Sequence, residues 1–245
     1  CKLNVEYLNY KSETMWNYEV GIKTNLINNT LFLQTSLFYQ DRDDVQTKQS
    51  LVTSIKDGSE GGECPCTFTD YIGNAASGSN YGFEVELLWL VNNKLEISSS
   101  FGILETEFKN FLSYSHIEAD PSNRIAFNLS GREQSHAPNY QFNFLIDYKF
   151  NENIFINLNI ESKDEFYFSD RHSAKSDNYT LLNFLIGYKL DSWEINLFGK
   201  NLTNEDYQTR GFGSFGNDPR KFYVTEPYNQ YGAPRVLGVS GKKSF

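Results

Sequence analysis

The chain has 245 residues, a formal net charge of -9 and an aromatic content of 16%, which 16 Tyr and 20 Phe supply almost entirely. That length suits one large domain or two small ones. The negative charge argues against the basic surface that nucleic-acid binders use, so no nucleic-acid partner is expected. Many Tyr and Phe residues with a single Met favour strands over helices.

Membrane insertion through helices is not expected. No segment has the roughly 20 apolar residues of a membrane-spanning helix, and residues 1–10 lack the basic and apolar regions of a signal peptide. Strands of a β-barrel can still span a bilayer, because only alternate residues face lipid and neighbouring strands satisfy the backbone.

Nine segments alternate apolar and polar residues, as strands with one apolar face do. Eight of them form pairs around short turns at Asn28-Asn29, Asn92-Asn93, 151–153 and Asp191-Ser192, and a last strand is predicted over 235–245. The apolar positions of the eight paired segments are Trp16, Tyr18, Val20 and Ile22; Leu31, Leu33, Leu37 and Tyr39; Tyr81, Phe83, Val85, Leu87 and Trp89; Leu95, Ile97, Phe101 and Ile103; Tyr140, Phe142, Phe144, Ile146, Tyr148 and Phe150; Ile154, Ile156, Leu158 and Ile160; Leu182, Phe184, Ile186 and Tyr188; and Trp193, Ile195 and Leu197.

The clearest alternation lies at 139–150, where Leu145 alone breaks the polar side. At about 3.3 Å per residue, this strand is long enough to cross the apolar part of a bilayer even when tilted. Strands of soluble proteins usually run about five or six residues. The pattern therefore predicts an all-β fold, an antiparallel transmembrane β-barrel. A soluble β-sandwich or soluble barrel is the alternative.

The connections between the predicted hairpins alternate in length. Short turns of two to four residues alternate with polar segments predicted at about 45–77, 108–136, 163–178 and 203–232. Short periplasmic turns and long external loops are typical of outer-membrane barrels.

The strand count bears on whether the barrel is complete. Complete bacterial barrels normally have an even number of strands and both ends in the periplasm. Nine strands with an external start predict a C-terminal part of a longer barrel. An additional strand within 2–10 would instead allow a closed barrel of ten.

Several motifs resemble those of TonB-dependent outer-membrane receptors. ETMWNYEVG at 13–21 resembles a strand start of that family, and FYQD at 38–41 and YGFEVE at 81–86 fit the following strands. Near the end of the chain, the similar segments are NLTNEDY at 201–207, RGF at 210–212, GNDPR at 216–220, Tyr228, YGAPR at 231–235 and the terminal Phe245. Counting back from Phe245, the expected apolar positions are 243, 241, 239 and 237, where Lys243 and Gly241 depart from the family pattern.

The resemblance implies nine or ten C-terminal strands of a barrel of about 22, spanning residues 1–245, with the plug domain absent. It further implies a Gram-negative outer membrane as location and membrane lipid as a partner. A TonB-type energy-coupling protein would act through the missing plug. The implied cargo is a small molecule such as a ferric siderophore, and no enzyme activity or cofactor is expected. A non-energised porin or adhesin-like barrel is the alternative.

The best candidates for ligand contact lie in predicted external loops. Guanidinium and aromatic groups suit anionic or planar cargo. The candidate residues are Arg210, Phe212, Phe215, Arg220, Tyr223 and His172. The same residues also fit a purely structural loop, and His172 beside Asp170 and Ser173 is the nearest approach to a hydrolase site.

The remaining chemistry-bearing residues favour structural roles. His136 is expected to cap the start of a strand, and Asp41, Asp43 and Asp44 to form a charged rim rather than a cation site. The state of Cys64 and Cys66 stays open between a strained disulfide, oxidation and pairing with another cysteine. No metal site is predicted.

Overall fold

The computed structural model of the protein describes residues 9–55, 66–117, 120–170, 173–215 and 226–244. Within these ranges the fold is all-β. No helix in the described part of the chain is long and apolar enough to cross a membrane. Some of the predicted features lie outside the described residues, namely positions 2–8 of the possible additional strand, Cys1, Cys64, His172, Arg220, Tyr223 and the terminal Phe245.

Twelve strands are found in the described ranges. They are β1 (Thr14–Leu26), β2 (Leu31–Ile55), β3 (Cys66–Asn92), β4 (Leu95–Ile117), β5 (Asp120–Asn128), β6 (Tyr140–Lys149), β7 (Ile154–Lys163), β8 (Tyr179–Leu190), β9 (Trp193–Lys200), β10 (Gln208–Phe215), β11 (Glu226–Tyr231) and β12 (Val236–Lys243).

The main sheet follows the chain from strand to strand. Its order is β1-β2-β3-β4-β6-β7-β8-β9-β12, with β5 paired to β4, while β10 and β11 form a separate two-stranded sheet. The nine strands of this path, counted in the described part of the chain, are the nine predicted from the sequence. Each pair whose register is known is antiparallel, which confirms the predicted fold class.

The register joins apolar residues into rows on one face of the sheet. One row passes through the partners Ile97, Ile146, Leu158 and Phe184. The neighbouring row on the opposite face contains Ser98, Leu145, Asn159 and Asn183. Because successive side chains of a strand point to opposite faces, the period-two pattern of the sequence becomes one apolar face and one polar face.

Asparagine side chains build two of the short turns. Asn92 Oδ1 accepts hydrogen bonds from the backbone N–H groups of Lys94 and Leu95 at 2.8 and 3.1 Å. Asn151 Oδ1 accepts from Asn153 and Ile154 at 2.9 and 2.8 Å. Such bonds satisfy backbone donors that the strand ladders leave unpaired, which explains why these asparagines end the strands.

The predicted extent of three long connections is wrong. β2 continues to Ile55 and β3 already begins at Cys66, so most of the loop predicted at 45–77 is strand. The segment 108–136 holds the end of β4 and all of β5, and 203–232 holds β10 and β11. These segments lack a sustained apolar alternation, so the pattern of the sequence does not predict them as strands.

The chain divides into two compact units. Unit 1 comprises Cys1–Tyr18, Tyr39–Asn80 and Thr106–Glu133, and unit 2 comprises Glu19–Phe38, Tyr81–Glu105 and Gln134–Phe245. In unit 1 a small core packs Val45, Ala76, Phe108 and Phe111 against Leu129. The rings of Phe108 and Phe111 lie 4.7 Å apart.

The last strand follows the expected register. Val239, Gly241 and Lys243 of β12 pair with Leu197, Ile195 and Trp193 of β9, so the two departures lie in the apolar row. Lys243 Nζ lies 5.1 Å from the centre of the Trp193 ring. The Lys243 ammonium group thus makes a cation–π contact with an aromatic ring at the short-turn end of β12.

Candidate functional site

Three of the six predicted ligand residues lie on the small two-stranded sheet. Arg210, Phe212 and Phe215 all lie in β10, where their partners on β11 are Gln230, Tyr228 and Glu226. The remaining three candidates, Arg220, Tyr223 and His172, are outside the described ranges, so whether all six converge stays a prediction. We call β10 and β11 the hairpin.

The base of the hairpin is tied by backbone and hydroxyl groups. The Gly232 N–H donates to the Tyr207 carbonyl at 2.8 Å, and Thr209 Oγ1 donates to the Gln230 carbonyl at 3.1 Å. The Tyr207 ring covers Gly232 so closely that an added Cβ would overlap it. Tyr207 also contacts Tyr179 of β8, with the ring centres 4.7 Å apart.

A second segment, described at 164–170 and 173–178, packs as a small structure of its own, which we call the cap. Phe166 and Phe168 are only 3% and 5% exposed, and their rings meet edge to face at 5.6 Å. The buried Ser176 accepts a hydrogen bond from the Phe166 N–H through Oγ at 3.0 Å. The sequence predicted an external loop here and gave no signal of this packing, because the two phenylalanines follow no strand or helix period.

The cap holds the segment that precedes β6. Asp170 Oδ1 accepts a hydrogen bond from the Ser135 N–H at 2.9 Å, and the Tyr167 carbonyl accepts one from the His136 N–H at 2.9 Å. The His136 ring lies 5.3 Å from that of Phe166. His136 has a left-handed φ of 55°. Its contacts are structural and made before the strand begins.

Asn201 joins β9, β8 and the approach to β12. This residue is 3% exposed. Its side chain donates to the carbonyls of Glu205 and Ala233 at 2.9 and 3.1 Å and accepts from the Glu205 N–H at 2.8 Å. Its backbone N–H donates to Asn183 Oδ1 at 2.9 Å. The sequence singled out 201–207 only as a family-like motif and missed this bonding role.

A chain of side-chain amides crosses the polar face of unit 2. Asn183 donates to Asn159 at 2.9 Å and to Glu161 at 3.0 Å, and Asn159 donates to Asn143 at 3.2 Å. Asn157 donates to Asp147 in the same region. These hydrogen bonds satisfy amide groups of the main sheet and fix the orientation of the side chains.

Two grooves open on this polar face. One, of about 640 Å³, is bounded mostly by apolar groups, among them Leu181, Leu185, Phe198, Tyr207 and Pro234. The other, of about 430 Å³, is lined by Glu84, Glu86 and Glu161 together with Lys163 and Tyr179. The sequence predicted carboxylates on a wet face, and the second groove contains them.

A charged clamp in unit 1 joins the residue before β1 to β2. Arg42 donates to Glu13 Oε1 through Nε at 2.8 Å and a terminal nitrogen at 2.5 Å, and the Gln46 N–H donates to Glu13 Oε2 at 3.0 Å. Burial alone would raise the pKa of Glu13, but the hydrogen bonds from Gln46 and Arg42 and the Arg42 charge outweigh it, so the pKa lies below 4.5.

Two of the three aspartates of the predicted rim, Asp41 and Asp44, form ion pairs with lysines. Lys109 lies 2.5 Å from Asp41, and Lys11 lies 3.7 Å from Asp44. The hydrogen bond to Asp41 is the main reason why the pKa of Lys109 is raised. Among the described residues, no group of three or more His, Cys, Asp or Glu side chains could hold a metal ion. These contacts favour the charged-rim interpretation.

The sequence matches the model of a known protein family. Residues 3–202 match the model of the TonB dependent receptor-like β-barrel. The match ends before most of the motifs near the C-terminus that first suggested the resemblance. It covers β1 to β9 and therefore rests on the strands of the main sheet.

Solved structures of receptors and transporters share the fold. The ferric yersiniabactin uptake receptor FyuA from Yersinia pestis matches with a TM-score of 0.70 and 16% identity, over 96% of this chain and 30% of that chain. For the siderophore receptor PiuA from Acinetobacter baumannii the values are 0.65, 16%, 94% and 28%. For the copper transporter OprC they are 0.58, 14%, 95% and 32%.

The chain thus spans less than a third of the length of each of these proteins. The matched family is one of receptors rather than enzymes, which agrees with the expectation from the sequence. Because the family model matches most of the chain, the protein belongs to the TonB-dependent receptor-like β-barrel family.

Proposed function

We propose that this chain forms part of the wall of a Gram-negative outer-membrane receptor that takes up a metal chelate such as a ferric siderophore. Its apolar face contacts lipid, its short turns face the periplasm, and the cap and hairpin face outwards. Uptake is driven by a TonB-type protein acting through a plug domain outside this chain.

The observation that carries the proposal is the family match over residues 3–202. The geometry supports it, because the main sheet has one continuous apolar face and one polar face. Large apolar side chains on the first face stay exposed, for example Ile186 at 41%, Leu197 at 47% and Val239 at 71%. Lipid is the solvent that such a surface requires.

The proposed cargo class is suggested by proteins with the same fold. FyuA is a ferric yersiniabactin uptake receptor, PiuA a siderophore receptor and OprC a copper transporter. FyuA and OprC are thus named for a metal-bearing cargo, and PiuA is named for a siderophore. A ferric siderophore is therefore the cargo that we propose for this chain.

Arg210, Phe212, Phe215, Arg220, Tyr223 and His172 remain the proposed ligand contacts. The hairpin presents the first three at one external element, where β10 pairs with β11. A guanidinium such as that of Arg210 binds carboxylate and catecholate oxygens through charge-assisted hydrogen bonds. Aromatic rings suit the planar groups of the chelator.

Growth on defined iron sources tests the cargo. A strain lacking the whole receptor gene, and unable to make its own siderophores, is grown on ferric catecholate, ferric hydroxamate or ferric citrate as sole iron source. We expect growth to fail on one chelate class and to return when the intact gene is supplied. Unchanged growth on every metal source, copper included, would contradict metal-chelate uptake.

Energy coupling separates the receptor from the porin or adhesin-like alternative. Uptake of the radiolabelled chelate is measured in cells with and without the TonB-type protein. A receptor should lose transport without that protein and still bind the chelate at the surface. Transport that continues unchanged would favour the passive barrel.

A further inference from the structure

The cap and the hairpin meet at one glycine. Gly211 of β10 is buried against the ring of Phe168 from the cap, and an added Cβ at this glycine would overlap two ring atoms. The same hypothetical Cβ would lie 2.9 Å from Asn229 Oδ1 on β11. The ring thus occupies the volume in which any other residue at 211 would place its side chain.

Phe168 cannot move aside easily. It is 5% exposed, packs edge to face on Phe166 at 5.6 Å, and its backbone N–H donates to the Ala174 carbonyl at 3.1 Å. Phe166 is itself held through Ser176. A steric conflict at Gly211 would therefore displace the hairpin or open the cap, because neither ring has free space.

The contact links the two segments that carry the proposed ligand residues. Arg210 immediately precedes Gly211 in β10, and His172 lies in the sequence of the cap. At the other end of the hairpin, Tyr207 covers Gly232 and contacts Tyr179. The hairpin is thus held between two ring-on-glycine contacts, one from the cap and one from its own base.

We propose that Phe168 and Gly211 form a lock that makes the cap and the hairpin one unit, in which Phe168 is a positioning residue for the ligand-contact face of β10. The lock does not touch cargo itself. It sets where the hairpin stands, and Arg210 with it. This role in uptake rests on the proposed receptor function, whereas the contact between the two segments does not.

A double-mutant cycle in the intact receptor tests the lock. The variants are Gly211→Ala, Phe168→Ala and the combination of both. Gly241→Ala is the matched control, since an added Cβ at Gly241 has no atom within 4 Å. The first readout is backbone hydrogen exchange of the cap and hairpin without cargo.

We expect Gly211→Ala to raise exchange in both segments by about tenfold, and Gly241→Ala to leave it unchanged. Once Phe168 is alanine, the methyl group at 211 meets no ring. The double variant should then exchange no faster than Phe168→Ala alone. Effects that simply add would overturn the lock, because they would show that the methyl group and the ring do not conflict.

The second readout is binding of ferric catecholate, ferric hydroxamate and ferric citrate to the same variants. We expect Gly211→Ala to weaken binding of the chelate that the wild type binds by about tenfold, with partial recovery in the double variant. Coupled exchange with unchanged affinity would overturn the positioning role. If exchange is coupled across the variants but the wild-type receptor binds none of the three chelates, the proposed cargo is refuted and the lock stands.

Discussion

The main sheet and the cap are stabilised in different ways. From Gln141 to Lys149, each residue of β6 has a partner on β7 in an unbroken register. The cap, in contrast, has one isolated bridge, between Tyr167 and Lys175, and depends on two buried phenylalanines and Ser176. Repeated backbone pairing stabilises the main sheet, which is the proposed barrel wall. A few particular side-chain contacts stabilise the cap and the hairpin.

This difference predicts different responses to substitution. A residue of the wall matters through the face on which it lies, because the same environment is repeated along each row. A residue of the external segments matters through its own partners. The following substitutions compare the two regions, beginning with the largest expected effect.

Ile97 and Ser98 are neighbours in β4 that lie on opposite faces of the wall, with Ile146 and Leu145 as their partners on β6. Ile97→Lys should destabilise the receptor in a bilayer by about 1–2 kcal/mol, because it places a charge on the lipid face near one end of β4, where the cost is below that at the bilayer midplane. Ser98→Lys, the matched control, should change stability by less than about 0.5 kcal/mol. Urea titrations of refolding in lipid vesicles measure both. Equal effects would show that the two faces of the sheet are not exposed to different environments.

Asn201 joins the end of β9 to the approach to β12 through side-chain hydrogen bonds. Asn201→Ala should cost about 1 kcal/mol, since it removes the side-chain hydrogen bonds to the backbone groups of Glu205 and Ala233. Stability is measured by urea titration of the same vesicle-bound receptor.

Asn201→Gly is the matched variant for this position. Glycine tolerates the φ of 50° at residue 201 but has no amide group. It should remain nearly as destabilised as the alanine variant. Wild-type stability in Asn201→Gly would assign the effect to backbone conformation and refute the hydrogen-bonding role.

The clamp in unit 1 should respond to acid. The pKa of Glu13 is lower in the folded protein than its ordinary value of 4.5. The stabilisation is therefore complete above about pH 4.5 and is lost as the pH falls through the folded pKa. An ion pair of this exposure should contribute less than about 1 kcal/mol.

Exchange of the Gln46 N–H, which donates to Glu13, reports on the clamp. Corrected for the intrinsic rate, its exchange should accelerate below pH 4.5 in the wild type and show no such step in Glu13→Gln. A step at the same pH in Glu13→Gln would assign the transition to another group.

The sequence predicted the wall well, since alternation at Tyr140, Phe142 and Phe144 determines both the strand and the face that becomes apolar. The outer part of β2, up to Ile55, was missed because its residues follow no sustained apolar alternation. Packing of Phe166 and Phe168, and the bonds of Asn201, depend on partners distant in the chain. Composition and spacing contain no signal for such contacts.

The orientation of the wall in the membrane is the central claim, and cysteine labelling in living cells tests it most directly. Lys175 of the cap and Glu152 of a short turn are each replaced by cysteine, in a receptor whose Cys1, Cys64 and Cys66 are serine. The labelling reagent does not cross the outer membrane. We expect Lys175→Cys to react in intact cells and Glu152→Cys to react only after the outer membrane is permeabilised. Equal labelling of both in intact cells, or the reverse order, would contradict this orientation.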